Sequence, residues 1–229
     1  MTEKVLIFDA SSLISIAMNG LLHELKELKK IFPGKFIIPK EVKQEAIEKP
    51  LTIKRFELEA LKLKELLDEG ILELPEALKI NDEEISKERT NMLNIANSTF
   101  LKNGKKEIHL IDLGETACLV LSRILTNKKI PNLLVIDERT TRMLSEKPQN
   151  LKKLLQKKLH VRVDIKKENL KQFKGFKIVR SCELIYIAYK NNLVRMKDKR
   201  VLDALLYALK YKGCAISTEE IESIKKLDK

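Results

Sequence analysis

The sequence predicts an α/β fold, a mainly parallel sheet covered by helices, on three observations. Short apolar runs alternate with stretches of helical periodicity, in the order strand, helix, strand, two helices, strand, two helices, strand. The helical stretches between successive runs are long enough to be crossovers, and crossover helices join parallel strands rather than hairpins. Two of the runs, VLIF (5–8) and LLVI (133–136), lead directly into acids, Asp9 and Asp137 with Glu138. In a parallel sheet the carboxyl ends of the strands are where ligands bind.

Taken in order, VLIF is a short buried strand and residues 12–30 carry apolar positions at helical spacing. KFII (35–38) is a strand. Pro39 opens a helix running to about Lys49, because the first turn of a helix leaves unbonded the N–H that proline lacks. A further helix over 52–69 ends at Gly70, and ILEL (71–74) follows as a strand. The polar residues 81–106 predict one more helix and a loop, and a helix from Leu113 to Asn127 leads into LLVI. Beyond residue 145 the pattern gives a Lys-rich helix over 148–159, weak strands at 160–165 and 176–180, and helices over 182–192 and 199–212. Gly213 then serves as a C-cap before a short strand, CAIS (214–217). The division expected is a domain over 1–145 and a basic, mainly helical C-terminal extension over 146–229, which completes the sheet or binds a partner.

Composition narrows the class. The chain has 229 residues, 44% hydrophobic and 34% charged, enough to bury a core beneath a well-solvated surface. No window approaches the run of about 18 apolar residues that a membrane span needs, and the start MTEKVLIFD lacks a signal-peptide pattern, so a cytoplasmic protein without a membrane partner is expected. Cys118, Cys182 and Cys214 are far apart with no CxxC pair, which argues against a disulfide framework or a zinc ribbon and for buried thiols. The net charge of +12 is unevenly placed. Residues 1–138 hold 21 Lys and Arg against 23 Asp and Glu, whereas 139–229 hold 24 against 10. A polyanion suits such a half, and nucleic acid is the commonest one in a cell.

The acids are the candidate chemistry. Asp9 and Asp137 stand at strand ends, where an aspartate also suits the N-cap of the next helix. In IIPKEVKQEAIEK, Glu45 lies about 80° from the Val42/Ala46 stripe at 100° per residue, closer to the core-facing edge than Glu41 or Glu48. In LGETACLVLSRI, Asp112 and Glu115 have capping-box spacing, and Glu115 either caps the backbone or projects beyond the sheet edge.

VLIFDASSLI, IPKEVKQEAI, LGETACLVLSRI and LLVIDERTTRML, in that order and at those separations, resemble the successive signatures of PIN-domain nucleases. The resemblance covers residues 4–145. It implies a PIN-like parallel sheet flanked by helices, an acidic cluster that binds Mg²⁺ or Mn²⁺, and a metal-dependent endoribonuclease that hydrolyses RNA phosphodiester bonds. It implies Asp9, Glu45, Glu115 and Asp137 as the catalytic and metal-binding acids, with Ser11 as the small polar residue after the first acid and Arg142 as the arginine after the fourth. Glu138 departs from the second aspartate that the family often has. The chain is also longer than the compact toxin members of the family. The chemistry fits hard divalent cations held by several carboxylates. His23, His109 and His160 fall outside all four motifs. A phosphatase starting at Asp9 with a DxD motif is excluded by Ser11.

Tyr186, Tyr189, Tyr207 and Tyr211 are interleaved with basic residues in the last helices, either stacking on bases or packing helix against helix. Lys197, Lys199 and Arg200 are the expected phosphate contacts. RNA is therefore the expected partner, with a ribonucleoprotein, an inhibitor protein and a second copy of the chain as further ones. The alternative function is a non-catalytic RNA-binding or assembly module with the same fold.

Overall fold

A computed structural model describes residues 4–227. The first element, β1 (Lys4–Phe8), is buried along all but its first residue, and Asp9 caps the helix that follows, α1 (Ala10–Met18). The single helix expected over 12–30 is two. Gly20, at φ +69°, breaks the ladder before α2 (Leu22–Ile31), because a left-handed residue cannot continue a right-handed helix. The strand β2 (Gly34–Ile37) pairs parallel with β1.

Pro39 then caps a helical segment built in three parts: α3 (Lys40–Lys43), a π-helical turn (Gln44–Glu48) and α4 (Lys49–Leu51). Next come α5 (Glu57–Asp68) and α6 (Asp82–Ser98). Between them ILEL does not form a strand. It touches the edge of β2 through one bridge, Ile37 with Glu73, because Pro75 lacks the N–H that a longer ladder needs and opens a 3₁₀ turn instead.

The loop expected before Asp112 contains a hairpin, β3 (Phe100–Lys102) and β4 (Lys106–Glu107), turned at Asn103 and Gly104 with both φ positive. The long helix α7 (Leu113–Asn127) leads to β5 (Asn132–Val135), which pairs parallel with β1 on the side away from β2. Then follow α8 (Arg139–Glu146), α9 (Pro148–Leu159) and β6 (Val163–Ile165). The strand expected at 160–165 is β6, but it joins the β3–β4 hairpin in a separate antiparallel sheet, ordered β4-β3-β6.

The main sheet is completed by β7 (Ile178–Val179), parallel to β5, giving the order β2-β1-β5-β7. This is an α/β architecture with a four-stranded parallel sheet flanked by helices. The helices α10 (Ser181–Lys190), α11 (Val201–Tyr211) and α12 (Thr218–Lys226) end the described chain. CAIS is not a strand, since Cys214 N–H bonds Leu209 O and the Ser217 hydroxyl caps α12.

One hydrophobic cluster runs from Val5 to Ile221, so residues beyond 145 share the core of those before it. Leu6, Phe36, Leu133 and Val179 line an apolar pocket on one sheet face together with Leu28 of α2 and Leu184 of α10, while α7 packs on β1 and β5. Cys118, Cys182 and Cys214 are buried free thiols. No helix among the described residues is long and apolar enough to cross a membrane.

Candidate active site

The carboxyl ends of β1 and β5 lie side by side, which brings Asp9 and Asp137 to one edge of the sheet. Asp9 Oδ2 accepts from Ser11 N (3.1 Å) and Ser11 Oγ (2.6 Å). Ser11 Oγ in turn accepts from Asp137 N (3.2 Å), so the serine holds the two strand ends together. Burial raises the Asp9 carboxyl above the ordinary aspartate range, the Ser11 bonds oppose this, and nearby Asp137 adds to it.

Gly114 of α7 explains how Glu45 comes close to Asp9. A Cβ at this position would lie 2.9 Å from Glu45 Oε2, 3.6 Å from Val42 Cγ2 and 3.9 Å from Asp9 Oδ1. The missing side chain is therefore the space in which the Asp9 and Glu45 carboxylates approach. Glu45 sits in the π turn, where more residues fit into each turn than in an α-helix and each is rotated by less than 100° from the last, so its direction departs from the 100° projection. Its carboxyl is raised by burial, then by the charges of Asp9 and Asp112.

Glu115 is both cap and site acid. Its Oε2 accepts from Asp112 N (2.9 Å), closing the capping box, while Oε1 accepts from the Thr141 hydroxyl of α8. With 8% of its surface exposed, its carboxyl is pushed up to about 8, first by burial and then by Asp9. Thr141 also donates its N–H to Glu138 Oε2 (3.0 Å), which caps α8. Asp112 is exposed at the mouth, where its Oδ1 meets His109 Nε2 at 2.8 Å.

Asp137 behaves differently from the other three. It is fully buried, and its carboxylate accepts from Ser181 N (2.7 Å) and Ser181 Oγ (2.5 Å) at the start of α10. Its backbone oxygen accepts from Ala215 N (3.1 Å). Burial raises its carboxyl, and the Ser181 bonds oppose the rise. Among the described residues no three His, Cys, Asp or Glu side chains are placed to hold one metal ion together. The bonds show why: protein donors hold Asp9, Glu115 and Asp137 each in its own place, and of the four only Asp9 and Glu45 border the Gly114 recess.

Of the other sequence-predicted residues, Ser11 bridges Asp9 and Asp137, and Arg142 Nη1 lies 3.4 Å from Ala215 O, close to the end of β5. Lys197, Lys199 and Arg200 are elsewhere. They lie in the exposed loop that follows the far end of α10, the end opposite Ser181, and Arg200 is paired with Asp198. Tyr186, Tyr189 and Tyr207 pack against the core, whereas Tyr211 is 77% exposed and stacks on Tyr207.

Sequence reasoning missed Gly114, Thr141 and Ser181. Gly114 lies in LGETACLVLSRI and Thr141 in LLVIDERTTRML, and RSCE after the strand at 178–179 repeats the strand-to-helix junction of VLIFD and LLVID. Compared with protein-family models, curated proteins and solved structures, the chain finds no match.

Proposed function

We propose that this chain is a divalent-metal-dependent endoribonuclease of the PIN-domain type, hydrolysing RNA phosphodiester bonds at the carboxyl edge of its sheet. The observation that carries the reading is the approach of Asp9 and Glu45 across the Gly114 recess, with Glu115 close enough to feel the charge of Asp9 and Asp137 at the neighbouring strand end. All four carboxyls are raised by burial, and for Asp9, Glu45 and Glu115 a neighbouring acid adds to the rise. Buried acids that repel one another are stabilised by a cation.

Asp9, Glu45, Glu115 and Asp137 offer hard oxygen donors of the kind that suit Mg²⁺ or Mn²⁺. Such a cation supplies Lewis acidity and lowers the pKa of a bound water. The chain's own residues prepare the donors. Ser11 orients Asp9, Thr141 orients Glu115, and Gly114 leaves room for Glu45 to approach Asp9. For Asp137 to join, its carboxylate would exchange at least one Ser181 bond for the cation.

A second reading, a non-catalytic RNA-binding or assembly module, is favoured by one observation, the retention of Asp137 by Ser181. A metal titration separates the two. Millimolar Mn²⁺ should raise the melting temperature of the wild type but not of Asp9→Asn, since the ion binds only the folded acids. RNA cleavage should fall by about 10²-fold or more in Asp9→Asn. Binding of RNA with no metal-dependent shift and equal cleavage in both proteins would favour the module. Lys197, Lys199 and Arg200 belong to the same proposal as phosphate contacts of the α10–α11 loop.

A further inference from the structure

The positive charge of the chain's second part is concentrated in a lobe that the tertiary structure builds from segments far apart in the chain. Residues 147–174 carry 10 Lys and Arg against 2 Asp and Glu, a net +8, whereas 181–229 carry 10 against 7. The first segment comprises α9, β6 and the 3₁₀ turn Asn169–Phe173. It pairs through β6 with the β3–β4 hairpin, which adds Lys102, Lys105 and Lys106. A cationic lobe is thus assembled from two parts of the chain about sixty residues apart.

Two features of the hairpin point to an anionic partner. Lys102 and Lys106 are directly opposite in the ladder, an arrangement of like charges that costs stability. Among the described residues neither they nor Lys105 forms an ion pair, whereas Arg162 and Lys166 nearby are paired with Asp164 and Glu107. The Asn103-Gly104 turn, closed by Lys105 N to Lys102 O (3.2 Å) and tied to β6 by Asn103 N to Arg162 O (2.9 Å), holds this repulsive pair in place. A bound polyanion would relieve it.

The lobe is joined to the candidate site on two sides. From Lys106 the chain reaches Asp112 in six residues, at most about 20 Å. On the way, Asn97 Oδ1 accepts from Leu110 N (2.6 Å) and Ile111 N (3.1 Å), fixing the approach. On the other side α8, which contributes Thr141 to Glu115, packs on α9 and on the 3₁₀ turn.

We infer that the β4-β3-β6 sheet with α9 is a binding surface for the backbone of single-stranded RNA, holding the strand a few nucleotides from the acids. The inference rests on the RNA substrate of the proposed function. It assigns the main electrostatic contact to this lobe rather than to the loop carrying Lys197, Lys199 and Arg200.

The test is binding of a labelled single-stranded RNA to the full chain, with a metal chelator present, as a function of salt. The hairpin variant Lys102→Gln, Lys105→Gln, Lys106→Gln should flatten the log-log slope by about 2, at roughly 0.7 per phosphate contact. Its melting temperature should hold or rise, because the repulsive pair is gone. A control of equal charge change placed away from the lobe, Lys26→Gln, Lys30→Gln, Lys64→Gln, should flatten the slope clearly less. An unchanged slope in the hairpin variant, or equal flattening in both variants, overturns the inference while leaving RNA as the substrate. If the wild type binds no RNA even at low salt, the proposed function fails with it.

Discussion

Removing the charge of Glu115 should change how the stability of the protein depends on pH. The folded carboxyl titrates at about 8 and the free one at 4.5, so between these values the folded state holds a proton that the unfolded state lacks. Stability therefore falls as pH rises across this window: the contribution is complete below 4.5 and lost above about 8. At about 1.4 kcal/mol per pH unit, the window sets a ceiling of about 5 kcal/mol, a large part of the usual 5–15 kcal/mol stability of a domain. Glu115→Gln can keep both neighbours, with its oxygen accepting from Asp112 N and its amide donating to the Thr141 hydroxyl, which turns to receive it. Urea unfolding from pH 5 to pH 9 in the presence of a chelator is the assay. The wild type should lose stability across the window, and the variant should fall less steeply, Asp9, Glu45 and Asp137 keeping their own contribution, and be the more stable protein at pH 8. An equally steep fall in the variant would refute the reasoning and place the titrating group elsewhere.

Ser181→Ala should destabilise the protein by about 1–3 kcal/mol, because it removes the Oγ donor from a fully buried Asp137, and thermal melting measures it. Asp137→Asn should keep both Ser181 contacts, its oxygen accepting from Ser181 N and its amide donating to the Ser181 hydroxyl, which turns to receive it, so thermal melting should change little while RNA cleavage falls. Gly114→Ala should leave the fold nearly intact, because the contact at 2.9 Å is the movable end of Glu45. It should reduce the Mn²⁺-dependent rise in melting temperature by pushing that carboxylate out of the recess, a change that calorimetry resolves. Tyr211→Leu should leave the melting temperature within about 0.5 kcal/mol equivalent, as expected of an exposed side chain, and lower RNA affinity without changing the salt slope only if the ring stacks on a base.

What the sequence determined by itself was the part of the fold set by local pattern. The buried run VLIF, the capping-box helix from Leu113 to Asn127 and the helix over 148–159 follow from periodicity and from caps a few residues away, and they recur in the structure at those bounds or within a residue of them. The strand-end positions of Asp9 and Asp137 were legible for the same reason. The Asn-Gly turn at 103–104 was also readable as a hairpin signal, though the charged residues around it resemble a loop. What only the tertiary structure decided were the contacts between residues far apart in the chain. Whether ILEL becomes a strand depends on the edge it meets and on Pro75, and Glu45 reaches Asp9 only because Gly114 leaves the space. Asp137 is held by Ser181, 44 residues away, and the basic lobe exists only once β6 pairs with β3. Periodicity and capping act over one or two turns of chain. The partners of a buried carboxylate and the neighbours of a surface lysine are set by packing, which brings together segments that no local pattern relates.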